Sequence, residues 1–393
     1  MIKSQNSRRQ FLKISGLGIA GLALPLSLSA MNINNEKEYL VYIGTYTKGE
    51  SKGIYLYKLD VETGALKSVS TTSGVVNPSF LTLDPGRKFL YAVNEVGDFQ
   101  GKESGAVSAF SIDQKTGALS FLNQQPTSGS SPCYVNVDKT GKVLMVANYG
   151  GGNVAIYPIK SNGHIGKSTS VVNHKSGNKG ETTNAKAHCI VTDPDNNYVF
   201  VPYLGEDKIS IYKLNVEKAD LSLNNPDSIV TKEGAGPRHF TFHPNGDFAF
   251  VINELNSTVT SFNYNKKNGQ LKEVHTVSSL PKDFKEKNSC AHILVSPDGG
   301  YLYGSNRGHN SIVVYSIDQN SGKITLVEHT STLGKTPRNF TIDPSGKILL
   351  AANQDTNDIF TFFINSKNGK LTATGNKVSL PSPVFLKVVP LFT

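Results

Sequence analysis

Tryptophan is absent from this sequence of 393 residues, and cysteine and methionine occur only three times each. WD repeats carry a Trp-Asp pair, so the absence of tryptophan excludes a WD40 array. The three cysteines, Cys133, Cys189 and Cys290, lie far apart and form no Cys-x-x-Cys pair. We therefore interpret them as small buried apolar side chains, not as a disulfide framework or a metal site.

Strong charge and long apolar runs are also lacking. The net charge is +9 and no cluster of consecutive basic residues occurs, so the sequence gives no support to nucleic-acid binding. The apolar stretch near the N-terminus, residues 14–28, is interrupted by Gly16, Gly18, Gly21 and Pro25. A stretch of this length and glycine content is too short to span a membrane comfortably, so we expect no span in the mature protein.

The arginine pair Arg8-Arg9 precedes that apolar stretch, and the small residues Ser-Leu-Ser-Ala follow at 27–30. This arrangement is similar to a twin-arginine (Tat) export signal. An ordinary secretory signal with a chance arginine pair is the alternative, and either would place the mature protein outside the cytoplasm. We predict a signal peptide over residues 1–30, a short linker over 31–38 and a periplasmic location.

The rest of the chain repeats one pattern about every 50 residues. A first strand begins after a corner that usually contains proline, and a second strand ends in Asn and one variable residue. The first strands begin at 77–80, 131–134, 186–189, 236–239, 289–292, 336–339 and 382–385. The second strands end at 92–95, 146–149, 201–204, 251–254, 304–307 and 351–354, with 42–45 as the N-terminal copy and Gly44 in its Asn position.

Two more strands with period-two alternation follow in each copy. Four short antiparallel strands repeated seven times predict an all-β fold, a seven-bladed β-propeller over residues 39–393. The N-terminus supplies the second to fourth strands of a blade, and residues 382–390 supply a first strand. We therefore expect one blade to be shared between the chain ends, which closes the ring and protects its edges. Two separate β-domains would need a linker, and the sequence contains none.

The opening residues of the first strands should converge, because the first strand of each propeller blade lines the central channel. At the two positions after the corner, the consecutive middle copies carry cationic and titratable side chains: His188, Arg238, His239, His292 and Arg338. The second strands end near them in Glu95, Glu254, Arg307 and Gln354. Guanidinium groups pair with carboxylates and phosphates, so the cluster predicts a small anionic ligand.

Structural roles are the alternative for these residues. Arg238 and Glu254 could form an ion pair between blades, and the histidines could be satisfied core residues. The histidines lack metal-ligand spacing, so no metal is predicted. The sequence also contains no Gly-x-Ser-x-Gly elbow and no phosphate-binding glycine loop, and no cofactor is expected.

Several longer motifs resemble those of the lactonase family of seven-bladed β-propellers, which includes the propeller type of 6-phosphogluconolactonase and the carboxy-muconate lactonising enzymes. They are Gly-Ala-Gly-Pro-Arg-His at 234–239 with 242–246, then 253–259, 296–299 with 305–309, and Ala-Asn-Tyr at 147–149 with 151–152. The resemblance covers residues 39–390. It implies that His188, Arg238, Glu254 and Arg307 are catalytic, and we expect His239, His292, Arg338, Glu95 and Gln354 to bind substrate.

Lactone hydrolysis needs a base to activate water and a cation or donor for the developing oxyanion. His188 or His239 could be the base, with Glu254 orienting it or acting itself. Arg238 and Arg307 could stabilise the oxyanion or hold an acidic group of the substrate.

The sequence departs from the family pattern at several polar positions. The family stretch Pro-His-Ala-His is Ala-Lys-Ala-His at 185–188, so only His188 remains and Lys186 stands in place of the first histidine. The family Asp-Leu-Gly is Tyr-Leu-Gly at 203–205, and Ala-Glu-Ile-His is Ala-His-Ile-Leu at 291–294. These changes indicate a changed substrate.

The sequence predicts a lactonase of the 6-phosphogluconolactonase-like kind. Export argues against 6-phosphogluconolactone itself, which is made in the cytoplasm, and favours a periplasmic sugar lactone. A muconolactone-type cycloisomerase and a non-catalytic ligand-binding propeller are the alternatives.

Overall fold

Seven four-stranded antiparallel sheets follow one another in the computed structural model, which describes residues 37–174 and 185–392. The predicted signal peptide and most of the predicted linker lie outside the described residues. Each sheet is one blade, and the blades are numbered here from the one that contains the N-terminus. The all-β, seven-bladed prediction is confirmed.

The strands are numbered in chain order. Blade 1 contains β1 (Glu38–Thr45), β2 (Gly53–Asp60), β3 (Leu66–Ser73) and β30 (Pro383–Pro390). Blade 2 contains β4 (Leu81–Leu83), β5 (Phe89–Asn94), β8 (Ala106–Ile112) and β9 (Leu119–Pro126), with an inserted hairpin of β6 (Asp98–Phe99) and β7 (Lys102–Glu103). Blade 3 contains β10 (Pro132–Val137), β11 (Val143–Asn148), β12 (Asn153–Pro158) and β13 (Ser170–Asn173).

Blade 4 contains β14 (Val191–Thr192), β15 (Tyr198–Tyr203), β16 (Lys208–Asn215) and β17 (Asp220–Val230), with a short 3-10 helix at Leu204–Glu206. Blade 5 contains β18 (Pro237–Phe242), β19 (Phe248–Asn253), β20 (Thr258–Asn265) and β21 (Gln270–Ser278). Blade 6 contains β22 (Cys290–Val295), β23 (Tyr301–Asn306), β24 (Ser311–Ile317) and β25 (Ile324–Ser331). Blade 7 contains β26 (Pro337–Ile342), β27 (Ile348–Asn353), β28 (Asp358–Ile364) and β29 (Leu371–Ser379).

The two ends of the chain close the ring, as predicted. β30 pairs antiparallel with β1, from Tyr39 opposite Pro390 to Thr45 opposite Pro383. The C-terminal strand is therefore the innermost strand of blade 1, and it contacts the innermost strands of blades 2 and 7. This pairing covers the strand edge that an open ring would expose.

Burial follows the position of a strand within its blade. The second strands are buried along all or nearly all of their length, as in Val143–Asn148, because both of their faces pack against neighbouring blades. The outermost strands alternate between partly buried and exposed residues, as in Leu371–Ser379. The hydrophobic core therefore lies between facing blades; one cluster joins Ile348 and Leu350 of blade 7 to Leu386 of blade 1.

The predicted turns between first and second strands are held by aspartate side chains. Asp138 Oδ2 accepts a hydrogen bond from the backbone N–H of Thr140, and its Oδ1 accepts from Lys142 and Val143. Asp343 makes the same contacts with Ser345, Lys347 and Ile348. Such Asx geometry fixes where the second strand begins, and so where its last residue reaches the channel.

Buried tyrosines tie each of several blades to the next. The Tyr42 hydroxyl donates to Gly117 O of blade 2 at 2.8 Å, and the Tyr91 hydroxyl donates to Gly163 O of blade 3 at 3.1 Å. Both glycines have a positive φ, of 75° and 82°, in a turn that ordinary side chains would strain. Neighbouring blades are thereby joined by hydrogen bonds as well as by apolar packing.

Candidate active site

One residue per blade lies where the second strand reaches the mouth of the channel. Its backbone N–H donates to the carbonyl of the residue before the corner of the innermost strand, in every blade. These seven rim residues are Tyr46, Glu95, Tyr149, Leu204, Glu254, Arg307 and Gln354. Thr45, not Gly44, pairs with the corner proline, as Asn148 and Asn253 do in their blades. The expected register of the N-terminal copy was therefore wrong by one residue, because this copy has no Asn to mark the end of its second strand.

The innermost strands carry a β-bulge directly after the corner in most blades. In blade 5, Pro237 pairs with Asn253 and His239 pairs with Ile252, so Arg238 is the extra residue. Blades 3 and 7 show the same shift at Cys133 and Arg338. A bulge lets two consecutive side chains turn toward one side of a strand. The channel consequently has two layers of side chains. The first residue after the corner of each innermost strand forms the upper layer, and the second residue forms the lower layer.

The upper layer and the rim residues enclose a cavity of about 250 Å³. Its eight lining residues come from all seven blades: Tyr46, Glu95, Cys133, Tyr149, His188, Glu254, Arg307 and Arg338. Sequence positions up to about 290 residues apart thus meet in one polar pocket, which we call the rim cavity.

Glu254 joins two arginines on one wall of the rim cavity. Its Oε2 lies 2.7 Å from Arg238 Nε and 2.9 Å from Arg307 Nη2, and the Arg238 side chain is only 2% exposed. Burial alone would raise the pKa of the Glu254 carboxyl, but the charges of Arg238 and Arg307 outweigh it and hold that pKa below its ordinary value of 4.5. Burial, followed by the Arg307 charge, lowers the pKa of Arg238 to about 9, so the guanidinium is still charged at neutral pH. The wall is therefore a fixed ionic triad with one net positive charge.

Glu95 forms a second polar group in the same cavity. Both of its carboxylate oxygens accept from the Tyr46 hydroxyl at 3.0 Å, and Oε2 also accepts from the Ser79 hydroxyl. Arg338 lies over the Tyr46 ring, with its guanidinium carbon 5.4 Å from the ring centroid. Burial lowers the pKa of Arg338, but electrostatic interactions with Tyr46 and Glu95 outweigh burial and raise that pKa above its ordinary value. Blades 1, 2 and 7 thus supply a carboxylate and a cation separate from the triad.

His188 of blade 4 also lines the cavity, and its ring meets that of Tyr149 edge-on at 5.3 Å between centroids. Its Nδ1 lies 3.6 Å from the thiol of Cys133. Burial, followed by the charges of Arg238 and Arg338, holds the pKa of His188 well below its ordinary value of 6.5. The imidazole is therefore neutral at pH 7. Lys186, which replaces a family histidine, does not line the cavity and instead places its ammonium 5.7 Å from the Tyr149 ring centroid.

A lower layer separates the rim cavity from the other end of the channel. His239 meets Tyr134 and His292 edge-on, at 5.4 and 5.0 Å between ring centroids. Phe80 contacts Tyr134 and Phe385, at 3.9 and 4.2 Å between ring centroids. Tyr134 and His292 also line a second cavity, of about 240 Å³, toward the opposite mouth. These aromatic side chains form the floor of the rim cavity.

The two floor histidines have defined tautomers. Arg238 Nη1 can only donate, so His239 Nε2, 3.3 Å away, accepts. The neutral His239 then carries its proton on Nδ1 and donates it to His292 Nδ1 at 2.7 Å. Burial, followed by the Arg238 charge, holds the pKa of His239 well below 6.5 and lowers the pKa of His292 to about 3. The neutral histidine pair therefore lies beneath Arg238, and His239 accepts a hydrogen bond from its guanidinium.

The predicted site residues divide by depth. Those that line the rim cavity are His188, Glu254, Arg307, Arg338 and Glu95. Arg238 stands behind Glu254, and His239 and His292 lie in the floor. Gln354 is a rim residue, but it does not line the cavity and its amide donates to Asp355. The predicted catalytic and binding roles stay predictions.

Sequence reasoning left three lining residues out of the site. Tyr149 occupies the rim position in blade 3, so the alignment of the repeats could have found it. Tyr46 occupies the same position in blade 1 and was hidden by the one-residue register error. Cys133 is buried and free, as are Cys189 and Cys290, which agrees with the interpretation of all three; its sulfur nevertheless lines the cavity.

Residues 37–174 and 185–392 contain neither a cluster of metal-ligating side chains nor a membrane-spanning helix. No three His, Cys, Asp or Glu side chains in those ranges are grouped as a metal site requires. None of the helices described there has the length and apolar character needed to cross a membrane.

The family model for the lactonases with a seven-bladed β-propeller matches residues 40–388. The chain belongs to this family. It is similar to the 6-phosphogluconolactonase of Bacillus subtilis, with 37% identity over 78% of this chain and 85% of the relative. It is also 36% identical to a 6-phosphogluconolactonase of Formosa agariphila, over 77% of this chain and 86% of that one.

A solved structure of the family is similar over the whole ring. The periplasmic gluconolactonase of Pseudomonas aeruginosa superposes with a TM-score of 0.84 at 31% identity, covering 90% of this chain and 99% of that chain. The lactonase family membership therefore applies to the entire propeller, including every blade that contributes to the rim cavity.

Proposed function

We propose that this protein hydrolyses a sugar lactone in the rim cavity. The observation that carries the proposal is the meeting of two carboxylates, two guanidinium groups and a neutral imidazole in one pocket of a lactonase-family propeller. Relatives with 36 and 37% identity bear the name 6-phosphogluconolactonase. Hydrolysis of a cyclic ester is the reaction that these names and the chemistry of the pocket have in common.

The cations of the cavity suit the charge that develops during ester opening. When water attacks the lactone carbonyl, negative charge moves to the carbonyl oxygen, and a fixed donor nearby stabilises it. Arg307 is held by Glu254 and by the carbonyl of Cys290, so its position does not have to change during the reaction. Arg338 lines the same cavity from blade 7 and can hold a second polar group of the substrate. The neutral His188 can orient the lactone or the water by hydrogen bonding.

The substrate we propose is an unphosphorylated sugar lactone outside the cytoplasm. The arginine pair and apolar stretch of residues 1–30 support export. The similar structure from Pseudomonas aeruginosa is described as a periplasmic gluconolactonase. The charges of Glu95 and Glu254 offset two of the three arginine charges at the cavity, those of Arg238, Arg307 and Arg338. The single net positive charge that remains favours a ligand of low charge over a phosphate dianion.

A panel of lactones tests the proposal. Purified protein would be assayed with δ-gluconolactone, 6-phosphogluconolactone and several uronic and keto-sugar lactones, with spontaneous hydrolysis subtracted. We expect turnover of at least one unphosphorylated lactone, and loss of that turnover in Arg307→Met. The matched control is Arg87→Met, which changes an arginine near Pro390, outside the rim cavity.

Each outcome separates the alternatives. Product analysis by NMR distinguishes an open hydroxy acid from a rearranged ring, which a muconolactone-type cycloisomerase would form. Binding of a lactone without turnover would indicate a ligand-binding propeller and contradict the proposal. Higher kcat/KM on 6-phosphogluconolactone than on its unphosphorylated form would leave lactone hydrolysis standing but reject the proposed substrate.

A further inference from the structure

The two carboxylates of the rim cavity differ in their partners. Glu254 is contacted by two guanidinium groups, whose positive charges stabilise its ionised form. Glu95 accepts hydrogen bonds from two neutral hydroxyls, those of Tyr46 and Ser79. Among the residues that the structure describes, Glu95 has no Lys, Arg or His nitrogen within the 4.0 Å that defines an ion pair.

This difference decides which group can accept a proton. A carboxylate neutralised by two cations is a weak base, because protonation would leave both cations unpaired. Hydroxyl donors stabilise a carboxylate less than cations do. A carboxylate has about four lone-pair sites, and the two hydroxyls leave part of that capacity for a water molecule. His188 is disfavoured because its protonated form would stand near Arg238 and Arg338.

We propose that Glu95 is the catalytic base of the rim cavity, and that Glu254 instead fixes the arginines that receive negative charge. This inference rests on the proposed lactone hydrolysis. Glu95 directly follows the second strand of blade 2, whereas the residues of the triad belong to blades 5 and 6. A bound lactone would therefore have its base and its cations supplied by different blades.

The reaction balances with water as the only co-substrate. Water oxygen forms a bond to the lactone carbonyl carbon while its proton passes to the Glu95 carboxylate, and the carbonyl electron pair moves to oxygen near Arg307. The tetrahedral intermediate then collapses, the bond from the carbonyl carbon to the ring oxygen breaks, and protonated Glu95 returns the proton to that oxygen. The product is the open hydroxy acid, which ionises in solvent, and Glu95 is again a carboxylate.

Substitution of Glu95 tests the assignment. We expect Glu95→Gln to lower kcat by about 100-fold or more, the usual contribution of a general base, with KM changed less than about threefold. Addition of formate to Glu95→Ala should restore a measurable part of kcat, because the small carboxylate can occupy the vacated space. Glu217→Gln, at a side chain that is 82% exposed and outside the rim cavity, is the matched control and should keep wild-type kcat.

A second variant covers the case in which Glu95→Gln fails to fold. The titratable and charged groups that face Glu95 are Tyr46 from blade 1, Cys133 from blade 3 and Arg338 from blade 7. Tyr46→Phe removes the hydroxyl that stabilises the ionised carboxylate, so the acid limb of the pH profile of kcat/KM should move to higher pH. A pH profile that is the same in Tyr46→Phe and wild type would overturn the assignment.

The remaining outcomes distinguish this inference from the proposed function. Wild-type protein without lactone turnover contradicts the proposed function itself. Wild-type turnover with unchanged kcat in Glu95→Gln, or a loss confined to KM, contradicts only the assignment of the base. Loss of kcat in Glu95→Gln with no rescue of Glu95→Ala by formate would also reject it, because a base can be replaced by a free carboxylate and a structural residue cannot.

Discussion

The two mouths of the central channel are built by the same innermost strands and yet have different chemistry. At the corner end, the lining includes two glutamates, two arginines, a histidine and two tyrosines. At the opposite end, the second cavity is lined largely by apolar and hydroxyl side chains, including Val191, Phe240, Thr241 and Ile293. The floor of aromatic rings and histidines separates them.

The two ends of the channel are constrained to different degrees by the packing of the blades. Along the strands, every blade needs apolar residues to pack against its neighbours, so the sequence is constrained by the core. At the corner end, every blade contributes its bulge residue, its rim residue or both to the rim cavity, and the repeat requires only the backbone of these residues. In blade 5 these two positions are Arg238 and Glu254, whereas in blade 4 they are His188 and Leu204. The corner end can therefore acquire charged groups without disturbing the blades.

The largest effect that distinguishes the ends should come from Glu254→Gln. Removing the carboxylate leaves Arg238 and Arg307 close together without their shared anion. The Arg307 guanidinium, which would stabilise the oxyanion, is then no longer fixed in position. We expect kcat/KM to fall by about 100- to 1000-fold and the free energy of unfolding to fall by about 3 kcal/mol. Kinetic assays and urea denaturation at pH 7 measure the two quantities.

Lowering the pH sharpens this prediction. The pKa of Glu254 lies below its ordinary value of 4.5, so its contribution to stability is complete above that value and is lost as the pH falls through the depressed pKa. The stability difference between wild type and Glu254→Gln should therefore shrink below pH 4.5. A difference that stays constant down to pH 3 would mean that the ionic triad does not stabilise the fold.

The floor between the two ends should make the protein sensitive to acid. His239 and His292 are held neutral, whereas in the unfolded chain they take up protons below about pH 6.5. The unfolded state then binds more protons than the folded state, so stability is complete above pH 6.5 and falls as the pH drops toward 3. Each histidine contributes a slope of at most about 1.4 kcal/mol per pH unit.

His292→Gln measures that contribution, since it removes one proton-binding group of the unfolded chain. Urea denaturation between pH 7.5 and 4.5 should give a shallower fall in unfolding free energy for the variant than for wild type. His164→Gln is a suitable control, because His164 belongs to the loop that follows blade 3's third strand and lies outside the floor. Equal slopes in His292→Gln and wild type would show that the floor histidine is not held neutral.

The sequence predicts much of this architecture because the repeat is visible residue by residue. Corner prolines, turn aspartates such as Asp138 and strand-end asparagines such as Asn148 recur at regular intervals, and each has a local structural cause. The closure of the ring by β30 followed from counting strands at both ends. Where a blade lacks the marker residue, as at Thr45, counting alone placed the register one residue too early.

The depth of the site residues could not be predicted in the same way. Arg238 and His239 are adjacent in sequence, and an ordinary strand would point them to opposite sides. The bulge after Pro237 directs both toward the channel, in different layers, and its geometry depends on pairing with β19. Likewise, the difference between Glu95 and Glu254 arises from partners on other blades, Tyr46 in one case and Arg307 in the other, which no local pattern contains.

The smallest effect should come from the opposite mouth. Thr241→Val replaces a hydroxyl by a methyl group of similar size in the second cavity, where the described side chains include no carboxylate or arginine. Because the floor lies between this cavity and the rim cavity, kcat/KM should change less than about twofold, and the free energy of unfolding should stay within about 0.5 kcal/mol of wild type. Steady-state kinetics on the best lactone of the panel, together with urea denaturation, provide the measurement. A tenfold or greater loss of kcat/KM at unchanged stability would contradict the separation of the two ends. A hydroxyl beyond the floor can affect turnover to that extent only if the substrate reaches the second cavity, or if the change at Thr241 alters the floor that holds Arg238.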